Sequence, residues 1–140
     1  MFNVIKTVHL PVRAEKLWRD IGSFGAVGAW HPMLSGVDSQ GDVPGARRIA
    51  HSRDGGIQVE RLKDYNGTDC IYRYEMESTP MRLRDYIGEF RVDDNGDGTS
   101  TVTWMAHFEP ADGNGEETAR KIETFIKAGT DSLKARYINQ

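Results

Sequence analysis

His31, set between Trp30 and Pro32, and Glu60, in Val59-Glu60-Arg61-Leu62, are the side chains of this sequence best suited to acid–base work. Imidazole titrates near neutrality, so a neutral His31 near a carboxylate would be poised to pass a proton or to anchor a polar ligand group. Two quieter roles stay open: His31 capping a helix end or bonding a backbone carbonyl, and Glu60 pairing with Arg61 or Arg73. Tyr72, Tyr74 and Tyr86 can each place a hydroxyl in a cavity or at a wetted sheet edge, and a buried hydroxyl needs a partner. Cys70 reads as a small buried hydrophobe without an activating neighbour.

Other chemistries find no support in the spacing. His9, His31, His51 and His107 fall on separate expected elements, so no metal site is expected, and no cofactor motif is present. Asp93, Asn95, Asp97 and Gly98 resemble half of a calcium loop, but Trp104 stands where a bidentate Glu is required. Gly22, Gly25 and Gly28 do not match a phosphate-binding fingerprint. No Ser–His–Asp or Cys–His order can be assigned.

The elements that must hold these residues follow from periodicity. Phe2 to Leu10 reads as a strand with Val4, Val8 and Leu10 on one face. Ala14, Leu17, Trp18 and Ile21 make a short amphipathic helix stopped by Gly22, and Ser23 can cap a second turn over Phe24 to Gly28. Turn chemistry at Gly41 to Gly45, Asp54-Gly55-Gly56, Asn66-Gly67 and Asp93 to Gly98 divides the next stretch. It predicts strands near residues 34–40, 46–53, 56–65, 69–77, 84–93 and 99–109. Cys70, Tyr72, Tyr74 and Met76 alternate on one face, as do Tyr86, Gly88, Phe90 and Val92, and Val102, Trp104, Ala106 and Phe108. Asn114 and Glu117 resemble a capping box opening a helix to about Tyr137, with an apolar stripe of Ala119, Ile122, Phe125, Ile126, Gly129, Leu133 and Tyr137. The result is an α+β chain, a single domain over residues 1–140, whose bent antiparallel sheet wraps a long C-terminal helix. A dry core prefers Leu, Ile and Val, so inward faces rich in Tyr and Trp point to a small-molecule container.

Composition sets the partners. The 140 residues carry 18 Lys+Arg against 21 Asp+Glu, a net charge of −3 with the signs interspersed, which argues against a nucleic-acid partner. A single cysteine excludes an internal disulfide. No segment approaches the about 20 apolar residues of a membrane span. Asn3, Lys6 and His9 break the N-terminus as a signal peptide, so a cytoplasmic location is expected. The sequence leaves a homodimer open.

The order of elements, with Trp30-His31-Pro32, Val59-Glu60-Arg61-Leu62 followed by Asp64, Tyr72-x-Tyr74, Tyr86, and Thr101-Val102-Thr103-Trp104 leading to Phe108-x-Pro110, resembles the START-like helix-grip superfamily that includes the birch pollen allergen. Within it the chain is similar to the polyketide cyclase/dehydrase and lipid-transport branch. The resemblance implies about seven strands gripping the helix around an internal cavity, and it implies that His31 and Glu60 face that cavity. Met33, Leu62, Tyr72, Tyr74, Leu83, Tyr86, Trp104, Phe125, Ile126 and Gly129 are then the expected ligand contacts, with Gly129 leaving room. Members often carry a small Pro-rich gate loop, whereas this chain has Ser78-Thr79-Pro80-Met81-Arg82-Leu83. The expected function is binding of a hydrophobic or polyketide/lipid-like molecule. The alternative is a cyclase/dehydrase using His31 and Glu60 as its acid–base pair, and a third reading has the gate loops docking a partner protein.

Overall fold

The computed structural model describes residues 1–138. Strands β1 (Phe2–Leu10), β2 (Leu34–Ser39), β3 (Arg47–Ser52), β4 (Ile57–Asn66), β5 (Ile71–Ser78), β6 (Leu83–Asp94) and β7 (Ser100–Pro110) form one antiparallel sheet. Their order is β1-β7-β6-β5-β4-β3-β2, so β2 to β7 run as a meander and β1 joins its far edge beside β7. Helices α1 (Ala14–Ile21) and α2 (Val27–Trp30) carry the chain from one edge of the open sheet to the other. The long helix α3 (Gly115–Ile138) packs chiefly over β1 and β7. This is the helix-grip arrangement the sequence pattern predicts.

Local chemistry explains each piece. In β1 the buried residues are Val4, Val8 and Leu10, spaced as one face of a strand demands. In α1 the buried set is Ala14, Leu17, Trp18 and Ile21, and the Gly22 N–H closes the helix on the Trp18 carbonyl. Gly22 is obligatory there, since a Cβ would collide with the Trp18 indole. Helix α2 begins at Val27, later than Phe24, because Phe24 to Ala26 form a turn. Asn114 enters α3 through its backbone carbonyl, which accepts the Thr118 N–H at 3.1 Å, in place of the expected side-chain capping box. Burial on α3 follows Ile122, Ile126, Gly129 and Leu133, with Thr118 and Thr130 joining the stripe.

Two irregularities matter for the site. Cys70 is not in a strand: it closes the β4–β5 turn with φ 56, and β5 starts at Ile71. Register shifts fall between Val59 and Glu60 and between Leu62 and Asp64 in β4, and between Arg84 and Ile87 in β6, where Asp85 has φ 53. Such bulges re-aim side chains, and here Glu60, Leu62 and Tyr86 all end up buried on the inner face.

Half of that inner face is dry. Tyr72 packs against Phe24 and Phe90 with ring centroids 5.4 Å away in each case, and Trp30 stacks on Phe90 at 5.8 Å. Helix α1 supplies Trp18, the turn that follows it Phe24, and helix α2 Trp30 to this aromatic cluster. The rest of the concave face, under the first turns of α3, stays open as a cavity.

Candidate ligand cavity

The cavity has a volume of about 740 Å³ and lies between the sheet and α3. Arg48 and Ala50 of β3, Glu60 of β4, Tyr74 of β5, Tyr86 of β6 and Trp104 of β7 form its depth, and all are buried. Leu34, Val27, Ile122 and Phe125 complete an apolar wall. The mouth is marked by exposed residues: Asp54 from the β3–β4 hairpin, Met33, Pro80 of the gate segment, and Glu117, Arg120 and Lys121 from α3. An apolar chamber with a few convergent polar groups is the ordinary form of a small-molecule site.

The polar groups converge on an ion pair. Arg48, 1% exposed, donates from Nε to Glu60 Oε1 at 2.8 Å. Its Nη1 donates to the Phe24 carbonyl at 2.8 Å and to the Tyr72 hydroxyl at 3.1 Å. The guanidinium carbon sits 4.2 Å from the Phe24 ring centroid and 4.5 Å from that of Tyr74, a cation–π contact with each of two adjoining rings. Burial works against the charge, but Glu60 and the tyrosines outweigh it and raise the Arg48 pKa above its usual range. Strand pairing explains the contact, because Arg48 lies directly opposite Glu60 across the β3–β4 ladder.

The tyrosines divide by position. Trp104 Nε1 donates to the Tyr74 hydroxyl at 2.9 Å, fixing both side chains in the cavity wall. Burial, with Tyr86 and Glu60 adding to it, holds the Tyr74 pKa well above normal. Burial first and Glu60 second likewise raise Tyr86. Both hydroxyls therefore stay protonated as donors at physiological pH.

His31 is held differently. Its Nδ1 faces the Met33 N–H at 3.1 Å, and an N–H can only donate, so Nδ1 accepts. Nε2 therefore carries the proton and donates to the Phe125 carbonyl at 2.8 Å. The ring stacks on Phe125 with centroids 4.0 Å apart. Burial lowers its pKa to about 4 against the pull of the Phe125 carbonyl, with the Arg48 charge lowering it further. His31 is a neutral brace joining the end of α2 to α3, outside the cavity lining, and the backbone-carbonyl role left open in the sequence is the one it fills.

Of the side chains expected at the site, Glu60, Met33, Tyr74, Tyr86, Trp104 and Phe125 border the cavity. Leu62 and Ile126 are buried in the core, and Tyr72 belongs to the aromatic cluster beneath Arg48. Leu83 pairs with Pro110 at the end of β6. Gly129 leaves no room for a ligand, because Trp104 and His31 occupy it: a Cβ there would come 2.6 Å from the indole and 2.9 Å from the imidazole. The residue absent from the expectation is Arg48. Its signal was the hairpin turn centred on Asp54, which sets Arg48 against Glu60 once the strands are paired. Among the described residues no group of three His, Cys, Asp or Glu side chains could hold a metal, and no helix is long and apolar enough to cross a membrane.

Comparison with known proteins places this geometry. The sequence model of the family described as polyketide cyclase / dehydrase and lipid transport matches residues 1–137. No curated protein sequence matches the chain. Among solved structures, the Bacillus cereus protein XoxI superposes with a TM-score of 0.89 at 22% identity, over 99% of this chain and 96% of that one. Major latex-like protein 151 of Panax ginseng gives 0.78 at 16% identity over 97% of each chain. The Zhui aromatase/cyclase of Streptomyces sp. R1128 gives 0.73 at 14% identity, over 96% of this chain and 94% of that one. At these identities the likeness is one of fold.

Proposed function

The chain belongs to the polyketide cyclase / dehydrase and lipid transport family, and from that premise we propose that it binds a largely apolar small molecule between the sheet and α3. The observation that carries this reading is a cavity of about 740 Å³ whose depth is built from Ala50, Tyr74, Tyr86 and Trp104 around one ion pair. Burying about 200 Å² of apolar ligand surface there gains about 5 kcal/mol before the costs of association. Polar contacts to the pair and the tyrosines set orientation. Met33, Phe125 and Glu60 belong to the proposed contact set.

Cyclase-type chemistry is the second reading, favoured by the family description and by Glu60, a carboxylate at the cavity's depth. His31 has both ring nitrogens engaged, so acid–base work would fall to Glu60 and the tyrosine hydroxyls. Binding needs only the chamber and its donors, and is preferred for that reason.

The test fills the chamber from within. Ala50 is 4% exposed and borders the cavity, so Ala50→Phe puts a ring into space a ligand would use. Fluorescence titration with a flat polycyclic aromatic should show binding to the wild type and at least about a tenfold loss in the variant, with a denaturation midpoint within about 1 kcal/mol of the parent. Undiminished affinity in a folded variant would move the site elsewhere.

A further inference from the structure

Arg48 and Glu60 hold more hydrogen-bonding capacity than their protein partners use. A guanidinium carries N–H groups on Nε, Nη1 and Nη2 in a rigid fork. Nε is spent on Glu60 Oε1, and Nη1 on the Phe24 carbonyl and the Tyr72 hydroxyl. Among the described residues, Nη2 finds no acceptor and Glu60 Oε2 no donor. Neither atom is among the side-chain polar atoms that are both sealed and unpartnered, which are Trp18 Nε1, Trp30 Nε1, Ser100 Oγ and His107 Nδ1. Both residues line the chamber, which is where unpartnered and unsealed Nη2 and Oε2 can meet a ligand group. The Nε and Nη1 hydrogen bonds, with the Phe24 and Tyr74 rings packed 4.2 and 4.5 Å from the guanidinium carbon, hold the orientation of the fork.

We propose that this Nη2–Oε2 edge reads the polar head of the ligand, and that the head is a neutral donor–acceptor group such as a carboxamide, a lactam or a hydroxy-ketone, not a carboxylate. The inference rests on the container reading above and adds the head chemistry to it. Arg48 and Glu60 cancel each other's charge. A carboxylate accepting from Nη2 would lie beside Oε2, two negative groups in apolar surroundings where water screens little. A carboxamide offers its carbonyl to Nη2 and its N–H to Oε2, and leaves nothing unpaired. Tyr74 and Tyr86 add donors without adding charge.

A matched set of probes tests this: an anthracene carboxamide, the corresponding carboxylate and the corresponding methylanthracene, titrated by fluorescence anisotropy near neutral pH. The carboxamide should bind at least about tenfold more tightly than the carboxylate. Carboxylate affinity should rise as pH falls, because the protonated acid is itself a neutral donor–acceptor group. Glu60→Gln, which removes the negative charge from the edge, should close or invert the preference. Should that variant fail to fold, the wild-type ratio and its pH dependence decide alone. Equal affinities, or a tighter carboxylate, overturn the head-group inference. If methylanthracene binds and the two polar probes are equal, the inference falls while the container reading stands. If none of the three binds, the container reading falls and the inference with it.

Discussion

Arg48 is the side chain on which the interior turns, because a charge 1% exposed leans on Glu60, Phe24 and Tyr72 for its partners. Removing one partner of such a pair strands the other. Glu60→Ala should therefore cost about 3–5 kcal/mol in urea unfolding, while Arg48→Met combined with Glu60→Leu should cost less than Glu60→Ala alone. His31 makes a prediction of a different kind. Its folded pKa of about 4 lies below the ordinary 6.5, so the unfolded chain takes up the proton first as pH falls. The stability it contributes is complete above about pH 6.5 and is lost toward pH 4, up to about 3 kcal/mol. Its ring proton resonances should stay at the neutral position down to about pH 5 by NMR; titration near neutrality would contradict the bracing role. Glu60 was legible as an inward candidate from its Glu-Arg-Leu context. Arg48 was not, because neither arginine of the adjacent pair Arg47-Arg48 reads as inward-facing until the facing residues of the hairpin are worked out.

The elements themselves were largely written in the pattern. Strand alternation and the α3 stripe come straight from side-chain period, and they recover the seven strands and three helices of the fold. Period says which face is inward but not what lies against it. Tyr72 and Tyr74 share a face of β5, yet Trp18 of α1 and Phe24 of the turn after it pack on Tyr72 while Tyr74 meets the open chamber. The bulges in β4 and β6 were equally hidden, since the residue that absorbs a register shift carries no period of its own. Gly129 shows the limit best: a small residue on an inward stripe suggested room for a ligand, and the packing spends that room on Trp104, His31 and Trp30. Gly129→Ala should thus destabilise by about 1–3 kcal/mol despite the better helix propensity of Ala, read from thermal or urea unfolding. Gly88→Ala should do the same or worse, because its Cβ would come 2.1 Å from Tyr74 Cζ.

Taken as one molecule, the chain is a sheet that grips a helix over only part of its length. Aromatic packing from α1, α2 and the turn between them fills one half, and the other half is left to hold something else. A ligand at about 100 times its dissociation constant should add about 2.7 kcal/mol to stability, a rise of several degrees in Tm. The most direct test of the cavity as the binding site is the backbone amide NMR spectrum titrated with the anthracene carboxamide. The account predicts shifts concentrated at Arg48, Ala50, Glu60, Tyr74, Tyr86, Trp104 and the Ile122–Phe125 turn, with the outer edge of β1 unchanged. Saturable shifts centred away from those residues, or none at concentrations where Tm rises, would contradict it.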